Sequence, residues 1–301
     1  MINIKNSKWN SFDFIVIGYC LLSIVTILIL GRPLSDYGDE IKFYIFMALL
    51  ALSFIIFLDE NKNNFFRFVR LFYPGFMFTF FYRETDGLMG LFYEPFFDLQ
   101  LTMFENAVLG FNPTLLIDKY LLNVFVNEFL SLCYFSYYLL IPWFMFYAFF
   151  KKDYLIIKSF VKATCITFFL SYMIFSLYPI EGPRWFFQAD YINNIEGFIF
   201  RPLVVFIISK GAVHGGCMPS SHFAVALVIQ MYCYKYYKKT LPYITTLVTG
   251  LAIGTFWGRF HYVTDVIVGG IIGLTVVLII WKLKKKEKEM EFKPKPEEIT
   301  V

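Results

Sequence analysis

Seven stretches of this chain, at about 14–30, 41–58, 129–150, 155–178, 219–236, 241–257 and 262–281, are apolar over lengths suited to crossing the ~30 Å of bilayer hydrocarbon. No other feature restricts the fold as strongly. Lipid offers the backbone no hydrogen-bonding solvent, so each run must satisfy its own amides and carbonyls as a helix. The composition agrees: 58% of the 301 residues are hydrophobic, 22% aromatic and only 17% charged. A soluble domain has too little interior to hide that much apolar surface. The expected fold class is therefore all-α, a polytopic transmembrane helical bundle in the lipid bilayer.

A further stretch at about 65–82 carries Arg67 and Arg70 near one end and Pro74-Gly75 in its middle. It reads either as a kinked span or as a helix lying in the interface. Basic residues bear on the choice because they collect on the cytoplasmic side. Lys5 and Lys8 precede the first run; Lys62, Arg67 and Arg70 follow the second. Lys151 and Lys152, then Lys235, Lys238 and Lys239, fill later connections, and Lys282, Lys284, Lys285 and Lys286 open the tail. Counting 65–82 as a span puts all of them on one side, giving about eight spans with both ends cytoplasmic. The connections at 179–218 and 258–261, which hold or adjoin His214, His222 and His261, then face outward together.

The first run is followed by Gly31-Arg32-Pro33 without a small-residue cleavage pattern, so it is expected to be retained as a span. The organisation expected is an N-terminal transmembrane hairpin over 1–60, an additional span and interfacial segment over 61–126, a transmembrane core over 127–282, and a disordered cytoplasmic tail over 283–301. Within the second segment, Asn112-Pro113-Thr114 opens a short interfacial helix; residues 196–210 read as another helix lying flat on the membrane. Glycines 250, 254 and 258, and again 269 and 273, recur every four residues, which marks close-packing helix faces. The net charge of +4 sits beside apolar runs, so it speaks to topology and not to nucleic acid. Five scattered cysteines form no CxxC pair; neither a disulfide framework nor a zinc site is expected.

Chemistry concentrates in three short motifs at outward span ends. They are Gly182-Pro183-Arg184-Trp185, the stretch from Gly215 through Cys217 to Pro219-Ser220-Ser221-His222, and Gly258-Arg259-Phe260-His261-Tyr262-Val263-Thr264-Asp265. His261 and Asp265 are four apart, on one helix face, so the carboxylate can hold one ring nitrogen and leave the other free to attack. Arg184 and Arg259 offer forked donors that match phosphoryl oxygens. Ser220 and Ser221 start a helix whose free amides favour an anion. A second imidazole, His222, permits protonation of a leaving oxygen.

This set resembles the type 2 phosphatidic acid phosphatase (PAP2) superfamily, which includes lipid phosphatases, lipid phosphotransferases and vanadium haloperoxidases. Pro219-Ser220-Ser221-His222 is similar to its Pro-Ser-Gly-His motif with Ser221 in place of Gly. Arg259-x-His261-x3-Asp265 is similar to its Ser-Arg-x5-His-x3-Asp motif, with Gly258 for Ser and a shorter Arg-to-His spacing. Gly182-Pro183-Arg184 is a shortened form of the Lys/Arg-Pro element. The stretch from Glu105 to Pro113 resembles the inositol-phosphoceramide-synthase-like branch. The resemblance implies a six-helix core, a phosphohistidine on His261 oriented by Asp265, and His222 as general acid. It further implies phosphoryl binding by Arg184, Arg259, Ser220 and Ser221, with neither cofactor nor metal. Arg201 or Lys210 would replace the absent first-motif Lys, and His214 is a supporting candidate.

The function this implies is metal-independent hydrolysis of a lipid phosphomonoester or diphosphate at the outer face of a plasma (inner) membrane. Transfer of a phospho-headgroup to an alcohol is the alternative, and a non-enzymatic anion or lipid transporter a third reading. A soluble haloperoxidase is excluded by the spans.

Overall fold

The structure is a computed structural model describing residues 8–31, 33–89, 91–92 and 96–291, with side chains through Lys285. Lys5, Arg32, the Lys286 side chain and residues 292–301 lie outside the described residues. The described residues form twelve α-helices and no strand. In order these are α1 (Ser11–Leu30), α2 (Gly38–Phe57), α3 (Asn64–Glu84), α4 (Asp98–Leu109), α5 (Pro113–Tyr120), α6 (Val124–Phe150), α7 (Tyr154–Leu177), α8 (Pro183–Phe186), α9 (Phe200–Gly211), α10 (Ser221–Tyr236), α11 (Leu241–Trp257) and α12 (Val263–Glu291).

Each of the eight predicted segments is a helix, and five of them (α1, α2, α6, α7 and α12) are long and apolar enough to cross a membrane on length and composition alone. α11 is apolar but shorter. α3 is the ambiguous stretch. It runs unbroken through Pro74 for 21 residues, about 31 Å of helix, and packs against α2, α6 and α7 inside the bundle. The tail departs from the expected boundary at 283, since α12 continues to Glu291. Lys/Glu-rich sequence sustains helix well once an apolar span has nucleated it.

Side-chain contacts sort the helix ends into two groups. At one end Asn10 and Lys158 both reach Glu60, Arg67 lies over Tyr154, Tyr237 bonds Asp153, and Lys235 lies over Trp281. The basic connections collect there. At the other end Tyr82 meets Val213, and His222 lies beside His261.

Four of the five glycines pack against a neighbouring helix as expected, whereas Gly258 meets Phe260 and the Gly254 carbonyl of its own turn. A Cβ on Gly254 would sit 2.8 Å from the Leu130 carbonyl oxygen of α6, and one on Gly269 2.5 Å from the Ser220 carbonyl oxygen at the head of α10. α12 thus approaches α10 at the residue just before Ser221-His222. Gly269→Ala is expected to force these helices apart and cost about 1–3 kcal/mol, read as a lower unfolding midpoint in detergent. An unchanged midpoint would mean that the close approach is dispensable.

Candidate active site

Three motif loops meet because backbone and buried acids tie them together. Ile180 and Gly216 form an isolated parallel bridge: the Ile180 amide donates to the Gly215 carbonyl at 3.0 Å, and the Cys217 amide to the Ile180 carbonyl at 3.1 Å. This joins the first motif to the second. The Ser220 amide donates to the Asp265 carbonyl at 2.9 Å, joining the second to the third. Gly182 has φ +97°, and a Cβ there would lie 2.9 Å from Cys217 Sγ, so conformation and close approach both require glycine.

His222, on the first turn of α10, is held by aromatic packing, with the Tyr137 ring at 4.4 Å and Tyr134 stacked at 5.5 Å. His261 lies just before α12 and is 6% exposed. The two imidazole centroids are 6.1 Å apart, and both rings line one cavity of about 460 Å³ with Arg184 and Ser221. The cavity runs inward past Tyr82, Tyr138 and Tyr172 to Phe78, Phe168 and Gly75. Tyr134, Tyr137 and Tyr138, all on α6, form part of its wall.

Although the expected shared helix face is absent because His261 precedes the start of α12, Asp265 faces His261 with Oδ2 3.5 Å from Nδ1. That exceeds a normal hydrogen bond, and a thiol explains it. Cys217 Sγ donates to Asp265 Oδ2 at 2.9 Å and lies 3.4 Å from His261 Nδ1. The Tyr262 amide donates to the same Oδ2 at 2.9 Å, while the buried Oδ1 has no partner. Burial and the Asp265 charge push the Cys217 thiol well above its ordinary pKa, so it stays protonated and donates.

A second cavity, about 560 Å³, adjoins the first across Arg184, Ile208, Ala212 and Phe260. Arg201 and Arg259 line it with Gln188, Asn193, Asn194 and His214. Burial, then the Arg259 and Arg184 charges, lower Arg201 to about 10, and its buried Nε has no partner. Burial likewise lowers Arg184. Arg259 is committed elsewhere, donating to Asp118 and to the Asn193 carbonyl while lying 3.8 Å from the Tyr191 ring centroid. The predicted phosphoryl ligands are therefore not gathered on one cavity. Arg184 borders both cavities, Ser221 borders the first and Arg259 the second. Ser220 is buried, its Oγ accepting from the Phe223 amide at 3.5 Å as the helix cap. Of the supporting candidates, His214 pairs with Glu181 at 2.8 Å. Lys210 is exposed and borders neither cavity, because it sits on the solvent side of α9 while Val204 and Ile208 face Tyr134. Arg201, not Lys210, stands close to the site.

Three acids hold these loops and a fourth holds the start of α9, roles that sequence reasoning did not assign to them. Asp98 accepts from the Glu181 and Gly182 amides at 2.8 and 2.9 Å and from the Tyr262 hydroxyl at 2.9 Å. Glu105 accepts from the Thr264 amide at 2.7 Å and its hydroxyl at 2.9 Å, at the start of α12. Asp118 accepts from the Ile192 amide at 2.9 Å besides its pair with Arg259. Glu128 accepts from amides at the N-terminus of α9, including Ile199 at 2.7 Å and Phe200 at 2.6 Å. The available signal was an acid within apolar sequence, costly unless partnered. Asp98→Ala would strand three donors and release the first motif from the third. Turnover is expected to fall about 100-fold, the scale of a 1 Å misplacement, with Asp98→Asn retaining more. Equal activity of Asp98→Ala and the parent would show that Asp98 does not position the site.

A PA-phosphatase related-family protein of Dictyostelium discoideum is 31% identical over 117 residues, covering 36% of this chain and 20% of that protein. The match thus spans about a fifth of the relative's length. No solved structure matches. Residues 100–281 match the PAP2 superfamily, a stretch that includes all three motif loops and well over half of the sequence. On that match, the chain belongs to the PAP2 superfamily.

Proposed function

We propose that this membrane protein hydrolyses a lipid phosphomonoester or diphosphate through a phosphohistidine on His261. The observation that carries the reading is two imidazoles with centroids 6.1 Å apart on the wall of one cavity that Arg184 also borders. A phosphorus about 3–3.5 Å from an attacking nitrogen leaves its departing oxygen within reach of the facing ring. In the first step His261 Nε2 bonds to phosphorus, the P–O bond to the lipid breaks, and His222 gives its proton to the leaving oxygen. In the second, His222 takes a proton from water, which displaces phosphate and frees His261. Asp265 holds the Nδ1 side of the ring. Arg184 and the Ser221 end of α10 offset charge on the phosphoryl oxygens, an arrangement set before the substrate arrives. The aromatic inner wall suits an acyl or prenyl chain.

A second reading draws support from the adjoining cavity: transfer to an alcohol, as in the inositol-phosphoceramide-synthase-like branch. Gln188, Asn193, Asn194 and Arg201 line that space, and such groups suit a hydroxylated or anionic headgroup. Collection of the basic connections at the far end of the bundle supports an active site on the non-cytoplasmic side of the plasma membrane. The test is to present detergent-purified protein in EDTA with phosphatidate, a polyprenyl diphosphate, or phosphatidylinositol plus ceramide. Free phosphate from either of the first two supports hydrolysis; a new phospholipid from the third supports transfer. If no substrate turns over, a binding or transport role for the cavity gains ground.

A further inference from the structure

Cys217 differs in setting from the other four cysteines, which lie within helices α1, α6, α7 and α10. It stands in the loop before α10, against the two residues argued to form and orient the nucleophile. Cys217 Sγ, His261 Nδ1 and Asp265 Oδ2 form a triangle with edges of 2.9 Å (S–O), 3.4 Å (S–N) and 3.5 Å (N–O). All three side chains are buried. Zinc bonds of about 2.3 Å to sulfur and about 2.0–2.1 Å to nitrogen or oxygen, arranged tetrahedrally, give ligand–ligand edges of roughly 3.3–3.6 Å. Two edges already have that length, and the third must open by roughly 0.6 Å to reach it.

We propose that Cys217, His261 and Asp265 form a binding site for a thiophilic divalent cation of the zinc class, and that its occupation inhibits the enzyme. Charge favours the exchange. The thiol loses its proton to solvent, and thiolate plus carboxylate then neutralise the divalent ion in a buried setting where net charge is costly. The hydrogen bond from Sγ to Oδ2 is replaced by two metal bonds. Asp265 Oδ1, buried and without a partner, shows that this carboxylate has acceptor capacity unmet by the protein. Entry is available because Cys217 and His261 both border the first cavity. Magnesium and calcium are excluded by chemistry, since they favour several oxygen ligands over sulfur and imidazole. The inhibition rests on the reading of His261 as nucleophile: a cation on Nδ1 draws electron density from the ring and replaces its contact with Asp265. The binding does not depend on that reading.

Zinc and cobalt(II) titrations of the full chain in detergent test both parts. The expected result is one equivalent bound, with X-ray absorption at the zinc edge showing one sulfur at about 2.3 Å and a thiolate charge-transfer band on cobalt. Cys217→Ser is expected to lose the sulfur signal and bind on the order of 100-fold more weakly, while Cys133→Ser keeps both. Phosphate release should fall with the same midpoint and return with EDTA. A zinc shell without sulfur, or Cys217→Ser binding as tightly as the parent, would overturn the site. The sulfur signal of the unaltered protein decides the matter even if Cys217→Ser fails to fold. Sulfur-ligated zinc on a protein that turns over no substrate leaves the site standing and removes the enzymatic reading. Turnover without sulfur-ligated zinc does the reverse.

Discussion

His261→Ala is expected to abolish turnover, with kcat falling about 10⁴-fold or more, as when a covalent nucleophile is lost. Alanine removes the nitrogen that would carry the phosphoryl group but leaves the surrounding frame. The Tyr262 amide and the Cys217 thiol still reach Asp265, and the Ser220 amide still reaches the Asp265 carbonyl. The variant should therefore fold and keep its cavity, separating chemistry from stability. Brief mixing with substrate labelled at phosphorus should give an acid-labile phosphoprotein in the parent and none in His261→Ala. His222→Ala has a different signature, because protonating the leaving oxygen matters less as that oxygen becomes a better leaving group. An aryl phosphate should restore much of its first step and allow the phosphoprotein to accumulate. Phosphoprotein formed equally by His261→Ala and the parent would remove this residue from the mechanism.

Asp13→Ala is expected to lower stability by about 3–5 kcal/mol, the cost of leaving one buried charge without its partner. The Arg70 guanidinium grips Asp13 twice, at 3.1 and 2.7 Å, the Tyr73 hydroxyl donates to the same carboxylate at 2.6 Å, and both charged side chains are at most 1% exposed. This pair joins α1 to α3. The sequence reading took Arg70 as one of the cytoplasmic positive charges; the structure shows it turned inward and neutralised. Replacing both members with apolar residues of similar size should cost much less than Asp13→Ala alone, because no charge is then stranded. Unfolding midpoints in detergent for both singles and the double complete the cycle. Single variants as stable as the parent would mean that Arg70 finds water in place of its partner.

How much was legible depended on the range of the interaction. The eight helical segments follow from uninterrupted apolar runs, a local property that lipid turns into a rule. Helix starts at Asn112-Pro113 and Ser220 follow from side chains that bond amides two or three residues on. The His261–Asp265 pairing was expected from helical spacing, but His261 lies two residues ahead of α12, and it is the turn closed by the Tyr262 amide on Asp265 that brings the two together. Lys210 shows the limit. The family resemblance offered it and Arg201 equally as the missing cation, and only the packing face of α9 separates them. Arg259 was legible as a cation near the site but not as one already held by Asp118, a residue 141 positions away in sequence.

Sequence alone determined that this chain must be a membrane-embedded helical bundle with its reactive side chains at the ends of spans, because hydrocarbon permits little else and motif spacing is a local matter. Tertiary structure alone decided that Asp98, Glu105 and Asp118 hold the motif loops while Glu128 holds the start of α9, that Cys217 shares Asp265 with His261, and that the cationic side chains divide between two adjoining cavities. Those pairings join residues far apart along the chain. Their partners are selected by how helices pack, and no periodicity records that.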